Sequence, residues 1–209
     1  MRFLILAVTA TVAAAQAPVD TLAVLKGVEK RYNSISTLKA EFTHTYKDRG
    51  RTRAPERGTV YLSKPNRTRW EYAEPAGNLF VSDGKFTYNY DRRRNAVERE
   101  PFRETEDLRI PLSFLLGKLD FQKDFDEFRA RREGDDAVIT AIPRNKKLLF
   151  KEIVMRVAPD SALRRVTVVG QEGSEMDYAF QGEQRNPKLP DSLFRFTLPA
   201  GAQVLDAGQ

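Results

Sequence analysis

The stretch from Arg57 to Asp91, RGTVYLSKPNRTRWEYAEPAGNLFVSDGKFTYNYD, admits few folds. It divides into four short segments of period-two alternation, 58–63, 67–73, 78–82 and 85–91. Lys64-Pro65-Asn66 separates the first two, and Asp83-Gly84 separates the last two. Asp-Gly between alternating segments predicts a tight hairpin of type I′, whose two central residues both take positive φ. Pro65 and Pro75 fall between segments, where a missing N–H removes no ladder bond. Val60 and Leu62 share a face of their strand. Thr68, Trp70 and Tyr72 share another, against Arg67, Arg69 and Glu71, and Phe86, Tyr88 and Tyr90 share a third, against Thr87 and Asn89. An antiparallel sheet with one greasy, aromatic side must cover it with a second sheet, a helix or a ligand.

The flanking chain supplies both strands and covers. Asp20 suits a helix N-cap, and Leu25, Val28, Tyr32 and Ile35 form an apolar stripe at 3-4-3 spacing on a helix running to about Asn33. Leu38, Ala40, Phe42, His44 and Tyr46 alternate with Lys39, Glu41, Thr43, Thr45 and Lys47, which predicts a half-buried strand. His44 is the only histidine and reads as a core or rim residue rather than a ligand or base. Arg49, Arg51 and Arg53 fall in a polar loop at 48–56, and Arg92-Arg93-Arg94-Asn95 reads as a second hairpin tip before a strand at 96–100. The period then changes. Ile110-Pro111-Leu112-Ser113-Phe114-Leu115-Leu116-Gly117 has Pro in the first turn and Gly just past the end of a short helix. That helix is apolar nearly all round, so it must be buried or cover something apolar. Another turn is expected within 119–125, and strands resume at 128–132, 137–143, 148–157, 163–170, 174–180 and 192–198.

The first residues carry an address. Arg2, an apolar run at 3–12 and Ala13-Ala14-Ala15 predict a signal peptide, residues 1–15, cleaved after Ala15. A run of about ten residues is too short to span a bilayer. No repeat or linker interrupts the rest, so 16–209 is expected to be one exported domain, its ordered part spanning about 19–206. The absence of cysteine excludes disulfides, thiolate sites and a lipid-bearing N-terminal cysteine. The net charge of +6 predicts a solvated basic surface, and next to that an affinity for anionic membranes or an acidic partner. No G-x-S-x-G, HExxH, P-loop or GxGxxG occurs, and one histidine leaves few bases. The expectation is a monomer that is not an enzyme, with no metal, no cofactor and no nucleic-acid partner.

One ordered set of residues has a known counterpart. Lys64-Pro65-Asn66, Arg69-Trp70-Glu71-Tyr72, Pro75, Val81-Ser82-Asp83-Gly84-Lys85 and the aromatic strand ending at Tyr90-Asp91 together resemble the LolA family of periplasmic outer-membrane lipoprotein carriers. The likeness extends to the short helix at 110–117 and to Phe194-Arg195-Phe196-Thr197-Leu198-Pro199-Ala200-Gly201. It implies a mainly β (α+β) fold, an incomplete, unclosed antiparallel β-barrel under an α-helical lid, with lipoprotein acyl chains held between them. The acyl cavity is then expected on Phe42, Val60, Leu62, Trp70, Tyr72, Phe86, Tyr88 and Tyr90, and the lid on Leu25, Val28, Leu112, Phe114, Leu115 and Leu116. The implied partners are an inner-membrane ABC-type release complex that loads the carrier and an outer-membrane acceptor lipoprotein that unloads it.

Three positions depart from the family pattern. The family's Phe-x-Gln is Phe42-Thr43-His44 here, and the hydrophobic residue two places after Asn is Thr68. The arginine before Pro-Asn, which in the family holds the lid by bonding helix carbonyls, is Lys64. Lysine can donate but lacks the planar fork. Carriage of a free lipid or glycolipid, or envelope-stress sensing by the same fold, stays open on the residues alone. The sensors carry a second domain, for which this chain has little room.

Overall fold

The computed structural model describes residues 18–102 and 118–206. The expected signal peptide and the expected helix at 110–117, with Leu112, Phe114, Leu115 and Leu116, lie outside the described residues.

Helix α1, Thr21–Asn33, begins where the Asp20 carboxylate accepts the Ala23 amide at 3.0 Å, satisfying one of the donors a helix start leaves open. Its stripe of Leu25, Val28 and Tyr32 is buried, and Ile35 joins it just beyond the C-terminus. The strands that follow are β1 (Thr37–Asp48), β2 (Arg51–Thr52), β3 (Glu56–Ser63), β4 (Arg67–Glu74), β5 (Leu79–Asp83), β6 (Phe86–Asp91) and β7 (Ala96–Pro101). A one-turn helix α2 (Phe121–Asp124) precedes β8 (Phe125–Glu133), β9 (Asp136–Pro143), β10 (Phe150–Val157), β11 (Leu163–Gly170) and β12 (Glu175–Arg185). A 3-10 turn at Asp191–Phe194 and β13 (Gln203–Asp206) complete the described chain. No helix among the described residues is long and apolar enough to cross a membrane.

All strands join one sheet in the order β13-β7-β6-β5-β4-β3-β1-β12-β11-β10-β9-β8, with β2 attached to β1. The first strand is therefore central, pairing β3 on one side and β12 on the other. An up-and-down meander leaves β1 in each direction, and among the described strands only the β13–β7 pair is parallel. Strands β8 and β13 are the two edges, so the barrel does not close.

Three expectations are corrected by the backbone. The Asp83-Gly84 hairpin exists, but of the two residues only Gly84 takes positive φ, at 90°, so the turn is not type I′. The Asp83 carboxylate accepts the Lys85 and Phe86 amides at 2.7 and 2.8 Å and shapes the turn instead. The segment 192–198 is not a strand: a 3-10 turn occupies its start, and the terminal ladder is β13, further on. Strand β12 runs past the expected 174–180 to Arg185, because its pairing with β1 continues to Leu38.

Candidate functional site

Directly paired residues of antiparallel neighbours lie on one face of a sheet. The register therefore traces an inner face, the one on which α1 packs. Trp70 pairs with Val60 on β3 and with Phe80 on β5, and Val60 pairs with Ala40 on β1. Phe42 pairs with Gly58 and with Phe180, and Gly58 pairs with Tyr72. In the other meander Met155 lies between Ile139 and Val166, and Val166 pairs with Tyr178. Leu25, Val28 and Tyr32 of α1 join these strands in one core.

Trp70 is the hub of that face, 1% exposed. Phe42 and Tyr178 meet its ring edge-on at centroid distances of 4.7 and 5.6 Å, and Phe42 meets Tyr72 at 5.3 Å. Gly58 makes room for these rings. A Cβ there would fall 1.9 Å from the Glu71 carbonyl oxygen and 2.9 Å from the Phe42 ring. His44 stacks on Tyr178 at 4.2 Å and sets Nδ1 3.1 Å from a Glu56 carboxylate oxygen. His44 Nε2 and Trp70 Nε1 are buried without a hydrogen-bond partner.

Phe42, Val60, Leu62, Trp70 and Tyr72 thus come together on the inner face. Phe86, Tyr88 and Tyr90 do not. Phe80 pairs with Asn89, and Ser82 pairs with Thr87, so the inner row continues into β6 through Thr87 and Asn89. The aromatic row of β6 lies on the outer face, with Tyr88 beside Val81 and Tyr90 beside Val97. Its cover is the chain's own C-terminal segment. Phe196 stacks on Tyr88 at 4.8 Å, Phe194 is buried under the Arg67 guanidinium at 5.3 Å, and Arg69 donates to the Leu193 carbonyl. Both faces of this meander are covered, so alternation alone could not say which row faced α1. Phe80, Met176, Tyr178 and Phe180 are inner-face residues that the sequence reading left unassigned, although the last three alternate on one strand.

The helix is tied down at one end of the sheet. Lys64 Nζ donates to the Tyr32 carbonyl in the last turn of α1 at 2.7 Å. The Tyr32 hydroxyl donates to Glu183 at 2.7 Å and accepts the Leu163 amide at 2.9 Å. Arg31 places Nε and Nη2 on the same Glu183 oxygen, at 3.1 and 2.7 Å, and Nη1 on Asp160 at 3.3 Å. The Asn33 side-chain amide donates to and accepts from the Leu119 backbone, at 2.9 and 2.8 Å. Burial lowers the pKa of Lys64, and burial and the Glu183 charge raise that of Tyr32.

A pH dependence follows. Burial, with the Glu183 charge for Tyr32 and the Glu56 charge for Tyr72, holds both phenols protonated above the ordinary value of 10.0. The folded state keeps these protons longer than the unfolded state, so their contribution is complete below about pH 10 and is lost as pH rises beyond it. Lys64 acts with opposite sign, because its folded pKa is depressed. Comparison with Tyr32→Phe isolates the tyrosine: urea titrations from pH 8 upward should show a shallower alkaline loss in the variant. Equal slopes would remove Tyr32 as the cause.

A polar groove of about 400 Å³ opens on the outer face of the second meander, lined by Arg131, Arg156, Arg165, Glu133 and Asp177 among others. Its charges pair with one another, Arg156 with Glu133 and Asp136 and Arg165 with Asp177, so it offers no surface for an acyl chain. Among the described residues no cluster of three or more histidine or acidic side chains is placed to hold a metal.

The family model described as outer membrane lipoprotein carrier protein LolA matches residues 33–197. The outer-membrane lipoprotein carrier protein of Methylobacillus flagellatus is 29% identical over 209 residues, covering 98% of this chain and 99% of its own. That of Dechloromonas aromatica is 30% identical over 170 residues, 81% of each chain, and that of Nitrosospira multiformis 27% identical over 173 residues, 81% and 82%. Among solved structures, an uncharacterized conserved protein of Thermus thermophilus superposes with a TM-score of 0.53 at 16% identity, covering 89% of this chain and 98% of the other. The structure of MucB superposes with a TM-score of 0.50 at 14% identity, covering 89% of this chain and 65% of MucB. These two likenesses are of fold.

Proposed function

Because the chain belongs to the LolA family of outer membrane lipoprotein carriers, we propose that it carries lipoproteins through the periplasm by their acyl chains. The observation that carries this reading is the unbroken apolar inner face from Phe80 through Trp70, Val60 and Phe42 to Tyr178 and Met155, covered by a helix held through polar contacts at its end. A sixteen-carbon acyl chain resists leaving a membrane by more than ~10 kcal/mol, at about 0.8 kcal/mol per methylene, so a carrier must offer comparable apolar surface. The side chains of the inner face fill it, and acyl chains gain access as the cover shifts. Leu25 and Val28, with Leu112, Phe114, Leu115 and Leu116 of the expected second lid helix, are the cover in this reading. An inner-membrane ABC-type complex loads the carrier, and an outer-membrane acceptor lipoprotein takes the cargo. Transfer needs no nucleotide, since each 1.4 kcal/mol of affinity difference gives about a tenfold bias.

Lys64 is the lid-holding residue of this scheme. Lys64→Met removes the bond to the Tyr32 carbonyl while keeping an apolar stem. The expected effect is about 1 kcal/mol, or a five- to tenfold faster amide exchange confined to α1. Exchange that accelerates evenly through the sheet, or not at all, would deny it that role. The cargo is tested by mass spectrometry of native protein purified from the periplasm. Lipoprotein is the expected passenger. A free phospholipid or glycolipid with no lipoprotein would replace this reading by carriage of that lipid.

A further inference from the structure

We propose that the end of the sheet remote from the α1 attachments is a docking surface for an anionic phospholipid bilayer. This goes beyond the carrier reading and does not depend on it. The meander directions bring three basic turns to that end. Strands β1 and β6 both run toward it, so the turn after β1 and the turn after β6 project from the same end, with the turn joining β4 to β5 between them. The first carries Arg49, Arg51 and Arg53, all exposed, and the second carries Arg92, Arg93 and Arg94, also exposed. Strand β9 runs the same way, and the turn that follows it carries exposed Lys146 and Lys147.

Among the described residues Arg49, Arg51, Arg93 and Lys147 have no carboxylate within ion-pair distance. The acids nearby are mostly engaged: Asp91 accepts the Arg93 and Arg94 amides, Glu74 pairs with Arg57, Asp126 with Arg144 and Glu175 with Lys47, and Glu56 lies against His44, leaving Asp48, Asp124 and Glu172. At the opposite end, where Lys64 and Asp160 hold α1, the turns mix Asp83, Asp135 and Asp160 with Lys85. The basic runs of the inter-strand turns therefore lie at one end, while Lys30, Arg185 and Lys188 are single exposed cations at the other.

A bilayer fits this end better than an acidic protein because of what lies between the cations. Leu149 follows Lys146-Lys147-Leu148 and is 55% exposed, more than any other large apolar side chain of the described residues. It is presented rather than loose. The Gln171 backbone amide donates to the Leu149 carbonyl at 3.1 Å, and the Gln171 side-chain amide donates to the Leu148 and Phe150 carbonyls at 3.1 and 3.2 Å. An apolar wedge beside two lysines enters the headgroup region while the arginines of the other two turns lie over lipid phosphates. Spread over three turns, the charge matches a plane and not a pocket.

The test uses the full mature chain without cargo, sedimented with vesicles of phosphatidylcholine alone or mixed with phosphatidylglycerol. Binding is expected only to the mixed vesicles, weakening about tenfold or more from ~0.1 to ~0.5 M salt as the Debye length contracts. The triple charge reversal R51E/R93E/K147E should lose at least about tenfold in affinity, with an unchanged melting curve because all three side chains are exposed. Leu149→Ser should weaken binding while keeping its salt dependence. Equal binding to neutral vesicles, or full binding by the triple variant, overturns the proposal. So does retention of polyglutamate by a protein that ignores anionic vesicles, which would assign the surface to an acidic protein.

Discussion

Trp70→Ala should lower the unfolding free energy by about 3–5 kcal/mol, the range for emptying a packed core of its largest side chain. Trp70 touches both meanders at once: Val60 and Phe80 flank it along the ladder, while Phe42 and Tyr178 close on its ring from the strands beyond. The substitution removes both edge-on contacts at once, and Phe42 can move into the space only by giving up its remaining edge-on contact with Tyr72. Trp70→Phe should cost far less than its loss of volume suggests. The indole N–H is buried without a partner, and phenylalanine removes that unsatisfied donor together with the ring it belongs to. Urea titrations of the two variants decide this, and a loss below about 1.5 kcal/mol for Trp70→Ala would show that the site collapses freely. The same residue reports on cargo. An acyl chain entering the inner face exchanges neighbours with Trp70, so its emission should shift and saturate with a lipopeptide. Saturable binding with unchanged emission would leave Trp70 a core residue and place the acyl chains elsewhere.

Much of the architecture could be read from the residues because each part obeyed a local rule. The Asp20 cap and the Leu25, Val28, Tyr32, Ile35 stripe specify α1 without reference to the rest of the chain. The strand at 38–47 and the Pro-Asn turn at 64–66 are likewise local. The aromatic row of β6 was misplaced for a physical reason. Period-two alternation gives the parity of a strand, but the side of the sheet is set by register with its neighbours. In β5 both Phe80 and Val81 are buried, so the chain passes between two covered faces and alternation no longer distinguishes them. The second cover is Phe194 and Phe196, late in the chain, and only tertiary structure brings Phe196 to Tyr88 and Phe194 to Arg67. The inner face contributed by Met176, Tyr178 and Phe180 was hidden in the same way. Nothing local predicts that the penultimate strand will return to pair with the first.

The attachment of α1 rests on Glu183, which sequence reading could not single out because its partners lie more than 150 residues away. Glu183→Ala leaves the Arg31 guanidinium without its nearest carboxylate and the Tyr32 hydroxyl without an acceptor. Removing one member of a buried pair costs about 3–5 kcal/mol. Arg31 and Glu183 side chains keep 14% and 16% exposure, and Asp160 still faces Arg31, so about 3 kcal/mol is expected here. The loss should be concentrated in the helix. The strands keep their ladders, while α1 loses two of the groups it shares with β12 and retains Lys64 and Asn33. Amide exchange in 21–33 should therefore accelerate far more than in β1 or β12, and an acyl probe should load faster because the cover opens more often. Adding Tyr32→Phe to Glu183→Ala should cost less than Tyr32→Phe alone, since the shared bond is already gone. A rise in loading rate without added exchange in α1 would mean that acyl chains enter by another route. A uniform loss of protection with unchanged loading would make Glu183 a structural anchor and nothing more.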